Sequence, residues 1–257
     1  MRRTHLNVPL RVRDDEAKPS WTRLRRPWHG LRLVLMTRFT IRLAERSDVP
    51  RLVAMNHAAY PELLADGIVF DGSQLAAHQA VFPSGQLVLE DNGALVGAIA
   101  TLILPSSIAL APHTWVDATS HGTFAAHAPN GDTLYLADVY SDPTQRGRGV
   151  GTALYDALFD LCRRKRLAYV AAGGRLWDYH DVANEMTPSE YVAQVIAGER
   201  RDRVLTPQLR AGFELAGILP GYLEDWRSHD FASHLVWRSE RVADHTQRST
   251  LQVRSVS

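Results

Sequence analysis

At 257 residues with 45% hydrophobic content, the chain can bury a full core as one or two domains. A formal net charge of +1 gives no case for nucleic acid as a partner, and the single cysteine, Cys162, excludes a disulfide framework and a thiolate metal cluster. No apolar run reaches the roughly 18 residues that span a bilayer, and the N-terminus lacks the apolar core of a secretory signal, so a soluble, cytoplasmic protein with no membrane partner is expected.

Residues 1–36 are rich in arginine without any period and are expected to be a disordered basic extension. Met36 directly precedes the strand-like segment Phe39 to Leu43, which suggests that translation starts there natively. From the cap candidate Ser47, the segment Asp48 to Leu64 spaces its apolar residues at helical intervals, and Gln74 to Ala80 is a second, shorter helix. Gln86 to Glu90 and Ala94 to Leu104 are β-rich runs joined through Asp91-Asn92-Gly93, a strong hairpin signal.

Residues 105–132 form a long irregular connection carrying His113, Trp115, His121 and His127. No zinc motif accompanies these histidines, and no metal is expected. Thr133 to Ser141 is a strand ended by Asp142-Pro143, and an amphipathic helix runs from Val150 to a basic C-terminal cluster, Arg163 to Arg166. Leu167 to Ala172 is a buried strand of undetermined direction. The second long insertion, 174–203, contains Thr187-Pro188-Ser189-Glu190, a capping box that predicts a helix over Pro188 to Ala197 with Gly198 as its stop. A short helix near Pro207 to Ala211, strands over Phe213 to Leu219 and Phe231 to Arg238, and a disordered tail, 241–257, complete the chain.

Between the fourth predicted strand and its helix lies Gln145-Arg146-Gly147-Arg148-Gly149-Val150-Gly151. Glycines ahead of a helix N-terminus let backbone N–H groups approach an anion where the helix dipole favours it. A nucleoside-triphosphate loop would end in Gly-Lys-Ser/Thr, and a dinucleotide fingerprint would read G-x-G-x-x-G; this run does neither. What remains is Arg146-x-x-Gly149-x-Gly151.

In this pattern the chain resembles the GNAT superfamily of N-acetyltransferases over roughly residues 37–238. Downstream, Gly173-Gly174-Arg175, Tyr179, Met186 to Val192, Gly198, Leu205 to Gln208 and Gly212-Phe213 are similar to the GNAT domain that occurs alone or fused ahead of a carbon–nitrogen hydrolase domain. The resemblance implies one α/β domain, 37–240, with a central mixed, mostly antiparallel sheet of about seven strands flanked by helices, interrupted by two long insertions. It also implies acetyl-coenzyme A, or another acyl-coenzyme A, as co-substrate, and direct attack on the thioester by the amine of a small-molecule acceptor, in a chain able to homodimerise. Backbone groups of Val139, Tyr140 and Ser141 would hold the pantetheine arm; Arg146, Gly147, Arg148, Gly149, Val150 and Gly151 would take the pyrophosphate, assisted by Thr152.

For proton transfer, Asp138 is the candidate base or ammonium anchor, with a strand carboxylate paired to an arginine as the alternative. Many relatives carry a tyrosine four residues before the late Gly-Phe; here that position is Gln208, which cannot donate a proton as an acid at neutral pH. Tyr140, Tyr179 and Tyr191 are substitutes on chemistry alone. On the acceptor side, Arg175 is expected either to bind an acceptor carboxylate or the cofactor, or to pair with Asp178 or Glu185, while Trp115, Trp177 and Tyr179 form an aromatic wall or part of the core. Because Gln208 removes one catalytic group, a non-catalytic acyl-coenzyme A binding module is the competing expectation.

Overall fold

A computed structural model describes residues 39–64 and 68–240. The predicted basic arm, the Met36 start and the C-terminal tail lie outside the described residues. Strand β1 (Phe39–Leu43) leads through a 3-10 turn at Arg46–Asp48 into helix α1 (Val49–Ala59), which ends earlier than the apolar spacing suggests. Tyr60 takes φ −131°, and Pro61 behind it excludes helical backbone at the residue it follows. Helix α2 (Gly72–Val81) opens on a capping box in which the Asp71 side chain accepts from the Gln74 amide.

Strands β2 (Gln86–Asp91) and β3 (Ala94–Leu104) form the expected hairpin. Asn92 and Gly93 at φ 52° and 79° supply the two left-handed residues that match its turn to strand twist. The connection 105–132 is more ordered than its composition suggests: it holds α3 (Ser106–Ala109) and α4 (Trp115–Thr119), the latter capped by Thr114 Oγ1, which accepts from the Asp117 amide at 3.0 Å. Strand β4 (Thr133–Ser141), helix α5 (Val150–Arg164) and strand β5 (Tyr169–Arg175) follow, then α6 (Pro188–Ala197), α7 (Leu205–Ala211), β6 (Glu214–Leu219) and β7 (Ala232–Arg238).

The seven strands make one α/β sheet in the order β1-β2-β3-β4-β5-β7-β6, antiparallel throughout except for the β4–β5 pair. One core forms where α5 lays Leu154, Leu158, Leu161 and Cys162 against the sheet, joined by Tyr191, Val192 and Val195 of α6. The other lies beneath α1 and α2, around Leu52, Met55, Leu75 and Tyr135. Two irregularities position everything that follows. Parallel pairing of β4 with β5 extends only over Thr133–Leu136 against Tyr169–Ala172, and β5 then continues with β7 to Arg175, so the two central strands part. At the same level β4 carries a bulge: Ala100 faces Asp138 while Thr101 faces Leu136, which leaves Ala137 supernumerary. Among the described residues no helix is long and apolar enough to cross a membrane.

Candidate functional site

Past the bulge, the edge of β4 that faces away from β3 has no strand partner. The turn after it is fixed by Asp142, whose carboxylate accepts from the Thr144 amide at 3.0 Å and is tied to Arg51 of α1 at 3.0 Å. Gly147 and Gly149 then adopt φ 78° and 87°, and Gly149 stands at the N-terminus of α5 with no side-chain cap on the first amides. Packing does not explain the glycines at 147 and 151, because a Cβ at either would meet nothing within 4 Å. The helix itself is pressed onto the sheet: a Cβ at Gly97 of β3 would lie 2.9 Å from Val150 Cγ1. Arg148 hydrogen-bonds to Gln145 and sits 3.6 Å from Asp91 of the hairpin, while Arg146 is exposed. The Arg146 and Arg148 amides donate within the turn, to the Pro143 and Gln145 carbonyls at 3.4 and 3.3 Å, and the turn is open where glycine side chains would be. That arrangement fits a pyrophosphate.

About the bulge, Asp138 turns its carboxyl toward α1. Its Oδ2 accepts from Asn56 Nδ2 at 2.8 Å, and Tyr60 Oη lies 2.8 Å from both Asp138 Oδ1 and the Val139 carbonyl oxygen. Asn56 is itself held by accepting from the Phe70 amide. The carboxyl is enclosed by protein yet the residue keeps some open surface, as the floor of a cleft does. Desolvation pushes its pKa up to about 6, opposed by the hydrogen bonds from Tyr60 and Asn56 and by the Arg175 charge. A phenol has one proton for its two close oxygens. With Asp138 ionised, Tyr60 donates to the carboxylate; with Asp138 protonated, the carboxyl can donate to Tyr60 and release the phenol proton to the Val139 carbonyl. Tyr140 lies on the same face, its ring edge-on to Tyr60 at 6.5 Å and its hydroxyl raised by burial.

Across the cleft, Arg175 ends β5. It is 8% exposed and pairs with Asp225 at 3.1 Å and Glu62 at 3.5 Å, not with Asp178 or Glu185 as sequence proximity suggested. Asp178 binds Arg203 instead. Trp115 donates its indole N–H to the Ala137 carbonyl at 3.0 Å, so one predicted wall residue reaches the bulge. Tyr179 belongs to a different neighbourhood: its hydroxyl donates to the Met186 carbonyl at 2.9 Å and its ring packs on Tyr191 and Phe231. Tyr191 donates to Asp202 in the same region. Gln208 is buried, its Oε1 has no hydrogen-bond partner among the described residues, and that oxygen would lie 2.2 Å from a Cβ at Gly174. Asp138, Tyr140, Arg175 and Trp115 therefore gather around the parted strands. Sequence reading missed Asn56, Tyr60 and Glu62, which share no motif with them.

The histidines of the long connection have structural bonds. His113 joins the Ala111 carbonyl and Tyr135 hydroxyl, and His127 Nδ1 accepts from the Ile103 amide, while His121 is exposed. Cys162 is buried beside the Leu167 and Tyr169 carbonyls, and burial pushes its thiol up to about 12.

Comparison with known proteins places this geometry. Residues 52–180 match the model of the acetyltransferase (GNAT) family. An uncharacterized N-acetyltransferase of Bacillus subtilis, YkwB, is 32% identical over 200 residues, which cover 78% of this chain and 88% of that protein. A probable hydrolase of the same organism, YhcX, is 34% identical over 209 residues, 79% of this chain but 40% of the longer relative. Among solved structures, the GNAT-like decarboxylase GphF in complex with isobutyryl-CoA aligns with a TM-score of 0.66 at 26% identity, covering 77% of this chain and 98% of that one. The loading GNATL domain of CurA from Lyngbya majuscula aligns at 0.65 with 22% identity, a likeness of fold, over 78% of this chain and 97% of that one.

Proposed function

This chain belongs to the acetyltransferase (GNAT) family, and on that footing we propose that it moves an acyl group, most simply acetyl, from acyl-coenzyme A to the amine of a small-molecule acceptor by direct attack in a ternary complex. The observation that carries the reading is a desolvated carboxyl, Asp138, on the unpaired edge of β4, beside an open glycine turn suited to pyrophosphate. The amides from Arg146 to Thr152 take the pyrophosphate, and the edge of Val139, Tyr140 and Ser141 lines the pantetheine arm. When bound, the thioester supplies an activated acyl carbon and a thiolate leaving group. A cytoplasmic setting suits that co-substrate.

Within this reading Asp138 removes the proton that the acceptor ammonium must lose. Near pH 7 a carboxylate with pKa about 6 is mostly ionised yet far more basic than an exposed aspartate. Tyr60 follows the proton: it gives its own O–H proton to the leaving thiolate and recovers one from Asp138, while the second proton shed by the acylated nitrogen passes to solvent. Arg175 and Trp115 are assigned to the acceptor side, and Tyr179, which packs on Tyr191 and Phe231, is not.

One observation favours a second reading. A structural relative at 26% identity is a decarboxylase with an acyl-coenzyme A bound, and loss of carbon dioxide from a carboxyacyl thioester needs the same cradle and one proton donor, but no amine. Two assays separate the readings. Thiol release from acetyl-coenzyme A across an amine panel supports transfer; release of carbon dioxide from malonyl-coenzyme A without an acceptor supports decarboxylation. Tight coenzyme A binding with neither product would sink both and leave a binding module.

The rate of transfer should fall below pH 6 as Asp138 protonates, and Tyr60→Phe should move that limb upward, because the variant loses a donor that holds the carboxyl pKa down. The check is kcat/KM against pH for both proteins. An unmoved limb in the variant would reduce Tyr60 to packing.

A further inference from the structure

On the β5 side of the cleft, five side chains stack in alternation: Tyr60, Arg175, Trp177, Arg227 and Trp226. The guanidinium carbon of Arg175 lies 5.3 Å from the Tyr60 ring centre and 4.6 Å from that of Trp177; that of Arg227 lies 5.1 Å from Trp177 and 4.5 Å from Trp226. The stack begins at the Asp138 hydrogen-bond partner and ends at an indole that is 57% exposed. Rings cover the flat faces of the guanidinium groups and leave their N–H edges free.

Those edges are underused. Trp177 Nε1 and Arg227 Nε are buried without a hydrogen-bond partner among the described residues, while Arg175 is held through Nη1 by Asp225 Oδ2 at 3.1 Å and through Nη2 by Glu62 at 3.5 Å. Arg175 and Trp177 are both at least nine-tenths buried. Each of these two groups can only donate. Native interiors rarely leave one such donor unmatched, and two on adjoining members of one stack form a set. Glu62 and Asp225 both pair with Arg175, so the stack is no indiscriminate anion trap. Its selectivity lies in planar, edge-on donors, the complement of a carboxylate.

We propose that this stack is the recognition site for a carboxylate carried by the substrate, either on the acceptor, which would then be an amino acid, or on the acyl group of a carboxyacyl thioester. The inference rests on a reaction at the Asp138 end of the cleft and holds for both readings of it.

Matched substrates test it. In one arm, thiol release from acetyl-coenzyme A is measured with a panel of α- and ω-amino acids and with their methyl esters, which keep the amine and lose the charge. The free acids should be preferred by about 10-fold or more in kcat/KM, and Arg227→Gln should largely abolish that preference. In the other arm, carbon dioxide release from malonyl-coenzyme A should show a KM raised by about 10-fold or more in the same variant, with acetyl-coenzyme A affinity as the reference. Trp226→Ala, at an exposed position, repeats the comparison without touching a buried group. Esters used as well as acids, or a variant that lowers both equally, would overturn the assignment while leaving acyl transfer intact. Should neither arm turn over, the transfer and decarboxylation readings fail, and the stack is read directly by tryptophan fluorescence as the amino acid panel is titrated in the presence of coenzyme A. A saturable change lost in Arg227→Gln upholds the site; no change refutes it.

Discussion

Replacing Asp138 with asparagine should lower the rate of amine acylation by at least about 100-fold, the ordinary contribution of a positioned general base, while coenzyme A binds as before. The expectation follows from geometry. The carboxyl is fixed by Asn56 and Tyr60 from α1, and the pyrophosphate turn begins beyond Ser141, so the substitution removes a proton acceptor and leaves the cradle untouched. Folding should not suffer. The folded pKa of Asp138 lies above its unfolded value, so its contribution to stability is complete below the unfolded pKa and is lost as pH rises from about 4 through about 6. At pH 8 the wild-type protein has already lost it, and the amide variant should be at least as stable. Single-turnover rates with saturating amine, coenzyme A calorimetry and a denaturation curve at pH 8 give the three readouts. An unchanged single-turnover rate would take Asp138 out of the mechanism.

Gly151→Ala should separate stability from affinity, with opposite signs. Gly151 is the second residue of α5, its backbone is helical and a Cβ there meets nothing, so alanine should stabilise the free protein by about 0.5–1 kcal/mol. The same methyl group stands where an anion must approach the helix amides, and coenzyme A affinity should fall by about 10-fold or more. Thermal unfolding and calorimetry on one preparation test both halves. A variant that is more stable and binds coenzyme A as tightly as the wild type would place the pyrophosphate elsewhere.

The elements most legible in the sequence were those specified by local chemistry. The Asn92-Gly93 hairpin, α5 with its apolar stripe and α6 with its capping box each carry their signals within a few residues, and they occur at or next to the predicted bounds. The glycine turn was legible for the same reason. The cleft was not. Asn56 meets Asp138 across 82 residues and Arg175 meets Glu62 across 113, while the nearby Asp178, favoured by proximity, pairs with Arg203. The alternation of β4 is broken at Ala137, so counting by twos along the strand misjudges what faces α1. Tyr60 passed for one more residue of a helix that in fact stops before it. The aromatic–guanidinium stack draws on three separate segments and has no signature in any of them.

Cys162 turns from an inert feature into an instrument. It is the chain's sole cysteine and lies sealed between α5 and the strand that follows, so a thiol reagent can reach it only when that helix lifts from the sheet. The helix that lifts is the one whose first turn forms the anion cradle. Labelling of Cys162 therefore clocks the opening of the cradle's own support, and saturating coenzyme A should slow the clock in proportion to how much tighter it binds the closed form.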